Sequence, residues 1–498
     1  MHHTSSRKPV GIIDIGSNTV RLVIYDGIHR TPMALFNEKA MCALGAGLEH
    51  SGRLNPDGVP MASASIERFV HLARAMNVER LDILATAACR DATDGPKFLR
   101  DIEEKTRETV TLLSGDEEAV RAAYGVLCSV PDAQGTVADL GGGSLELITV
   151  DPDISPTSEP CISLPLGILR LFEHAGSDHE KARKLIHDRL QKVTFFDKGE
   201  NHHLYAVGGS WRALAQVIID KMNYPLHVLD NFTLPYEKAR EMVTAISSKD
   251  RRSLEKMGAV SRKRLEYLPL AATLLDVLLE KIKPDTLVFS VYGMREGQFF
   301  INLPDEMRKN DPLLSAAVEW ARAAGRFPEH GRELFDWMEP LFPDETPGLY
   351  RLRYAACLLG DTFWSEHPDY RAEQAFLKVL RLPFMGLEHT DRAALALAVY
   401  YRYASKDSLA SVREARSLLD DERLGRVRAI GLSLRLGHSM SGGAANILGK
   451  TRLKKGKKKL TLYLPKDDPI YYADLFHKKL DRLADELGLE SCIKRVES

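Results

Sequence analysis

Long apolar runs are missing from this chain of 498 residues; no stretch of about 18 consecutive apolar residues occurs, which argues against a membrane-spanning helix. The N-terminal residues show no signal-peptide pattern, Met1–Lys8 being polar. Cysteine is scarce and scattered. Cys42, Cys89, Cys128, Cys161, Cys357 and Cys492 form no CxxC pair, which argues against a zinc site or disulfide framework and for a reducing compartment. Net charge is nearly absent: the formal value of −1 excludes a globally basic nucleic-acid binder, so any polyanion must be held by local patches. Low-complexity tracts are lacking too, because the glycines and prolines are dispersed. The expectation is a cytoplasmic protein with no membrane span and no nucleic-acid partner. What is present is a globular composition, with length for three or four domains that each bury a core.

The chain is organised around Gly11–Asp26, GIIDIGSNTVRLVIYD. An apolar run ends in Asp14, a polar turn follows (Gly16, Ser17, Asn18, Thr19), and alternating apolar residues lead to Tyr25 and Asp26. This reads as a β-hairpin whose turn offers backbone N–H groups beside a carboxylate. Small residues let an anion approach such N–H groups closely, and Asp14 could hold a hydrated Mg²⁺ next to it. The pattern recurs at an offset of 125 residues in Thr136–Asp151, TVADLGGGSLELITVD. Asp14 then falls on Asp139, Gly16 on Gly141, Thr19 on Ser144, Leu22 on Leu147 and Asp26 on Asp151. Two matching turns, each with its carboxylate in place, imply two similar halves presenting phosphate-type loops to a shared cleft.

Between the repeats, Thr31–Leu44 reads as a third strand. Asn55-Pro56 reads as a helix start, with Asn as N-cap, and the helix runs to about Asn77. Arg80–Thr86 is a buried strand delivering Ala87 and Arg90 to its end. Asp94-Gly95-Pro96 caps another helix, and Thr109–Leu113 is a strand. Ser114-Gly115-Asp116-Glu117-Glu118 opens a further helix. Its acidic first turn complements the helix dipole; the functional alternative is that Glu117 or Glu118 orients or deprotonates water. Alternating strands and helices predict an α/β architecture with ligands at the carboxyl ends of the strands.

Past the second repeat, Cys161–Phe172 carries Gly167 and Arg170 at its turn, and Asp178 to about Phe196 is helical. His187-Asp188 on that charged helix reads as a solvated face rather than a metal site. Leu204–Val207 leads into Gly208-Gly209-Ser210, either a third anion-compatible turn or a tight packing turn. Ser261–Lys283 reads as a long helix with Arg262, Lys263 and Arg264 in its first turn, followed by a strand at Thr286–Ser290 and a helix around Arg295. Leu303–Pro312 is a proline-bounded linker. The chain is then helical to about Val427, with Trp364, His367, Tyr370, Arg371, His389 and Arg392 but no paired His-Asp spacing. Arg428–Ser498 changes character: Arg452–Lys459 is a Lys-rich tip between strands, either a solvated loop blunting a sheet edge or a contact for a long phosphate chain.

With these motifs in order, the chain resembles the exopolyphosphatase / guanosine pentaphosphate phosphohydrolase (Ppx/GppA) family. The segments that carry the resemblance are Asp14–Thr19, Ala85–Ala88 with Arg90, Ser114–Ala119, Asp139–Ser144 with Glu146, Pro165–Arg170, Gly208–Ser210 and Arg295–Gly297. The resemblance implies duplicated actin-like (ribonuclease H-like) domains at 8–132 and 133–303 around an interdomain cleft. A helical domain at 304–427 and a small C-terminal α/β domain with a basic loop at 428–498 would follow. It departs from the longer relatives where Gly360-Asp361 stands in place of a His-Asp motif, so no second metal centre is expected.

The same resemblance implies processive, Mg²⁺-dependent release of the terminal phosphate from inorganic polyphosphate. Hydrolysis of guanosine pentaphosphate to the tetraphosphate is the nearest alternative. A nucleotide-dependent kinase or a non-catalytic sensor is the alternative of another class. Glu118 falls on the family's catalytic glutamate, and Arg90 would assist it. The backbone of Gly16, Ser17, Asn18 and Thr19 and of Gly141, Gly142, Gly143 and Ser144 would cradle phosphates. Gly208, Gly209, Arg264 and Arg295 would bind further out. Mg²⁺, or another divalent cation, would be held through water by Asp14, Asp139 and Glu146. A homodimer is expected from the family alone.

Overall fold

The structure is a computed structural model that describes residues 8–195, 202–248, 265–404, 406, 409–466, 468–471 and 475–497. The chain divides into two compact units, Met1–Lys309 and Asn310–Ser498. Their junction falls in the proline-bounded segment, which also holds a short helix, Asp305–Arg308.

Unit 1 is built on two sheets of like plan. In the first, β1 (Val10–Ile15), β2 (Thr19–Tyr25) and β3 (Ala34–Met41) form an antiparallel meander. To this β4 (Arg80–Ala85) and β5 (Val110–Leu112) add in parallel, in the order β3-β2-β1-β4-β5. In the second, β6 (Gly135–Leu140), β7 (Leu145–Val150) and β8 (Cys161–Leu164) repeat the meander. Parallel β9 (His203–Val207) and β11 (Thr286–Phe289) follow, with β10 (Phe232–Pro235) closing the edge. The central strands carry apolar residues on both faces because helices cover both sides. Edge strand β3 instead alternates exposed and half-buried residues and presents Lys39 to water, which discourages edge pairing.

Several helices differ from the sequence reading. The helix expected to start at Asn55 spans Gly58–Ala75. Asn55 instead holds the preceding turn, donating from its amide to the Ala43 carbonyl and accepting the Asp57 N–H. Asp94 stands at the N-cap of Gly95–Thr106 without capping it, because its carboxylate accepts the Leu54 N–H and pairs with Arg53. The helix read from Asp178 covers His179–Leu190, and His187 on it is half exposed. Of the long helix read at Ser261–Lys283, Leu268–Ile282 is helical, whereas residues 261–264 lie outside the described residues. That helix is buried nearly all round, and its one buried carboxylate, Asp276, is paired by Arg183 and Arg240.

The helix Gly115–Ser129 packs Ala119, Ala122, Ala123 and Val126 into the core under the second sheet. It also lies against Met294–Ile301 so closely that a Cβ on Gly297 would stand 1.7 Å from the Arg121 carbonyl oxygen. Glycine is what lets these two helices touch.

Unit 2 is helical, with Pro312–Ala324, His330–Met338, Pro347–Leu359, Arg371–Arg381, His389–Tyr403 and Asp421–Ser441 as its main helices. The last runs unbroken through position 428, where the change of character was read. The Lys-rich tip is the hairpin between β12 (Arg452–Lys455) and β13 (Lys459–Pro465); Leu475–Glu486 then leads to β14 (Glu490–Val496), which pairs in parallel with β13. Leu453, Leu460, Leu462 and Leu464 point inward, leaving the lysines outside. Arg392 is buried and clamps a loop by donating to the Leu382 and Phe384 carbonyls.

Candidate active site

The two hairpins of unit 1 share one turn geometry. The Gly16 N–H donates to the Thr19 carbonyl at 3.0 Å, and the Gly141 N–H donates to the Ser144 carbonyl at 3.0 Å. Behind each turn the carbonyls are tied down. Ser17 and Asn18 oxygens accept from Gly45, Cys42 and Ala43, and Gly141 and Gly142 oxygens accept from Ile168 and Leu169. Turns tied down in this way are rigid, and N–H groups of such turns can form an anion-binding nest.

The two turns touch. A Cβ on Gly142 would lie 3.1 Å from Ser17 Cβ, and one on Gly143 would lie 2.7 Å from Ser17 Oγ. A Cβ on Gly167 would strike the Gly143 backbone at 2.2 Å. These glycines are required by close approach, not by unusual dihedral angles. Around the turns, Arg170 pairs with Glu49 and Asp91, and the Gly47 N–H donates to Glu173 at 2.7 Å, joining the two halves.

The two first-turn glutamates separate by role. Glu117 is exposed and closes a capping box: its carboxylate accepts the Ser114 N–H at 2.8 Å while Ser114 Oγ accepts the Glu117 N–H. That backbone bond holds its carboxyl below the usual range. Glu118, one residue on, is buried and forms an ion pair with Arg90, whose guanidinium also donates to the Leu113 carbonyl. Burial and the Glu146 charge push Glu118 well up, against the pull of Arg90.

Of the remaining carboxylates, Asp14 lies near the end of β1 of the first sheet, while Asp139 and Glu146 stand opposite each other on β6 and β7 of the second. Asp14 is paired by Arg295 at 2.8 Å; burial still raises its carboxyl against that attraction. Asp139 has no ion pair among the described residues, and burial raises it to about 6 in spite of Arg212 and Arg295. Glu146 accepts from Ser163 Oγ at 2.8 Å, and burial raises it to about 7 against the hydrogen bonds from Ser144 and Ser163. A concentration of carboxylate oxygens with too few cations is the donor chemistry of a hard divalent ion such as Mg²⁺. No three acidic, His or Cys groups among the described residues converge as a direct cage.

Gly208 has φ +114, and a Cβ there would stand 2.4 Å from the Leu140 carbonyl oxygen, so the close packing of this turn on β6 requires glycine. Gly209 faces Arg212, which donates to the Val291 carbonyl and is pushed down to about 10 by burial and Arg295. Arg264 lies outside the described residues. Sequence reading missed Arg212, Arg21 and Ser163. Arg21 had a signal: it lies opposite Asp14 in the hairpin register, as Glu146 lies opposite Asp139.

The duplicated sheet plan and paired turns define an actin-like (ASKHA) fold, with mixed sheets in unit 1 and a helical C-terminal region. A sequence model of the Ppx/GppA phosphatase family matches residues 23–306, and one of the exopolyphosphatase C-terminal region matches residues 313–492. The chain belongs to the Ppx/GppA phosphatase family. It is 24% identical over 436 residues to Retrograde regulation protein 2 of Saccharomyces cerevisiae, covering 80% of this chain and 73% of that protein. It is 26% identical over 342 residues to Exopolyphosphatase 1 of Mycobacterium tuberculosis, covering 64% of this chain and 95% of that one. Among solved structures, an exopolyphosphatase-like protein superposes with TM-score 0.52 at 21% identity, over 60% of this chain and 99% of the other. An exopolyphosphatase from Cytophaga hutchinsonii gives 0.51 at 22%, over 58% and 96%, and both likenesses speak to the fold. No helix among the described residues is long and apolar enough to cross a membrane.

Proposed function

We propose that the protein hydrolyses the terminal phosphoanhydride bond of inorganic polyphosphate. The observation that carries the reading is the buried Glu118–Arg90 pair beside two nests of backbone N–H groups. In this reading the N–H groups of Ser17 and Asn18 in one turn and of Gly142 and Gly143 in the other bind the terminal and penultimate phosphates, those of Gly16 and Gly141 being used to close the turns. Glu118 takes a proton from a water as its oxygen attacks the terminal phosphorus, and the bridging oxygen leaves with the shortened chain. Arg90 orients Glu118 and neutralises charge on the phosphoryl oxygens. Asp139 and Glu146 would hold Mg²⁺ through water, with Asp14 contributing its oxygen not engaged by Arg295; the ion would supply charge neutralisation at the phosphates. Arg295 and Arg212 add positive charge further along the cleft.

Guanosine pentaphosphate uses the same chemistry on a shorter chain. The likeness to Exopolyphosphatase 1 of Mycobacterium tuberculosis favours inorganic polyphosphate. Purified protein with Mg²⁺ is given long-chain polyphosphate or guanosine pentaphosphate, and phosphate release is followed with Glu118→Gln as control. Faster release from polyphosphate, lost in the variant, is expected. Preference for the guanosine substrate moves the assignment to alarmone turnover, and release from neither substrate overturns the hydrolase reading.

A further inference from the structure

Unit 2 gathers more cations than its carboxylates neutralise. Asp361 accepts from Arg326 Nη2 at 2.6 Å and Nε at 3.1 Å, and from Arg402 Nη2 at 3.4 Å. Arg371 donates to the Glu366 main-chain carbonyl at 2.9 and 2.7 Å, while the Glu366 carboxylate pairs with Lys378. The Tyr403 ring ties the group together, 4.1 Å from the Arg402 guanidinium and 5.8 Å from that of Arg371. Two guanidiniums therefore share one carboxylate, with a third, Arg371, reaching the group through the Tyr403 ring. The neighbouring Glu333 is taken by His330 and by the N–H groups of Asn446 and Gly449.

Beside this group His438 is 9% exposed, 4.0 Å from Asp361, and neither ring nitrogen has a hydrogen-bond partner among the described residues. Arg402 Nε likewise has none. Burial and the charges of Arg402, His330 and Arg326 hold His438 neutral, so it keeps one donor and one acceptor. A buried guanidinium Nε and a buried imidazole without hydrogen-bond partners among the described residues are both costly, and one bound anion would relieve both. The cluster opens outward at Arg326, whose side chain is 36% exposed. The exposed rings of Phe327 and Trp364 lie 5.7 and 5.8 Å from its guanidinium. Gly443, at φ +92, lies against the same opening; a Cβ there would stand 3.1 Å from Arg326 Nη2.

We propose that this cluster binds a phosphate-type oxyanion, with Arg326, Arg402 and His438 as donors and Arg371 adding charge. The rings of Phe327 and Trp364 would take the planar base when the phosphate is carried by a nucleoside. The proposal does not rest on the hydrolase reading of unit 1.

The full chain, labelled with 5-fluorotryptophan, reports the site by ¹⁹F NMR, since Trp211, Trp320, Trp337 and Trp364 are its tryptophans and Trp364→Phe assigns the relevant line. Inorganic phosphate, tripolyphosphate and GTP are titrated at constant ionic strength against chloride. A saturable shift of the Trp364 line is expected, with half-saturation raised about tenfold or more by Arg326→Ala. Arg371→Gln, which removes charge without breaking an ion pair, gives the same direction where Arg326→Ala fails to fold. Half-saturation at lower GTP than tripolyphosphate supports a nucleoside phosphate as ligand; equal values support a phosphoryl site alone. No saturable shift, or a shift unchanged in both variants, overturns the proposal.

Discussion

The two hairpins of unit 1 share a turn and differ in charge. Opposite Asp14 in the first stands Arg21; opposite Asp139 in the second stands Glu146. In the first, Asp14 is paired by Arg295, and the Arg21 and Arg212 charges act on the same neighbourhood. In the second, burial raises Asp139 and Glu146 to about 6 and about 7 against the pull of nearby arginines. In the proposed reading the duplicated fold gives one side to phosphate oxygens and the other to a metal ion. The difference rests on one side-chain position per copy.

The largest expected effect breaks the chemistry on the second side. Glu118→Gln keeps shape and removes the base, and turnover should fall by about 10²–10⁴-fold while polyphosphate binding persists. Wild-type turnover in this variant would eliminate Glu118 as the base. Next, the two sides should separate by ligand. Glu146→Gln is expected to raise the Mg²⁺ concentration for half-maximal activity by about 10–100-fold. Arg21→Gln should raise KM for polyphosphate with Mg²⁺ dependence unchanged. Identical Mg²⁺ titrations for the two variants would erase the distinction.

A third outcome concerns pH. Asp139 and Glu146 have folded-state values above their ordinary 3.8 and 4.5. Their contribution to stability is complete below the ordinary carboxyl range and is lost as pH rises through about 6 and about 7. The metal-free protein should melt at a lower temperature at about pH 7.5 than at about pH 5, and Mg²⁺ should stabilise it more at the higher pH. Equal stabilisation at both would mean that these carboxylates do not hold the ion. The smallest effect is mechanical: Gly167→Ala forces a Cβ into the Gly143 backbone and should cost about 1–3 kcal/mol in urea unfolding. An unchanged midpoint would show that the turns have room to part.

Much of this was readable in one dimension because it is local. The repeated Asp-x-Gly turn, the strand–helix alternation and the Leu alternation of the Lys-rich hairpin all lie within a few residues of their cause. What was misread involved competition for one side chain. Asn55 and Asp94 have the composition of caps, yet a neighbouring segment supplies each with other partners. Arg212, half-buried next to Gly209, had no sequence signal separating it from any helical arginine.

By itself the sequence determined the duplicated plan, the two glycine turns and the carboxylate that ends each first strand, since hydrogen bonding and side-chain period act between near neighbours. It left Glu117 and Glu118 as two acids in one helical turn. Tertiary structure decided between them, because the roughly 100° between successive residues on a helix exposes Glu117 at its cap and buries Glu118 against Arg90. It also decided the pairing of Asp14 with Arg295, 281 residues apart. That pairing depends on chain segments brought together only when the core between them packs, so spacing cannot carry it.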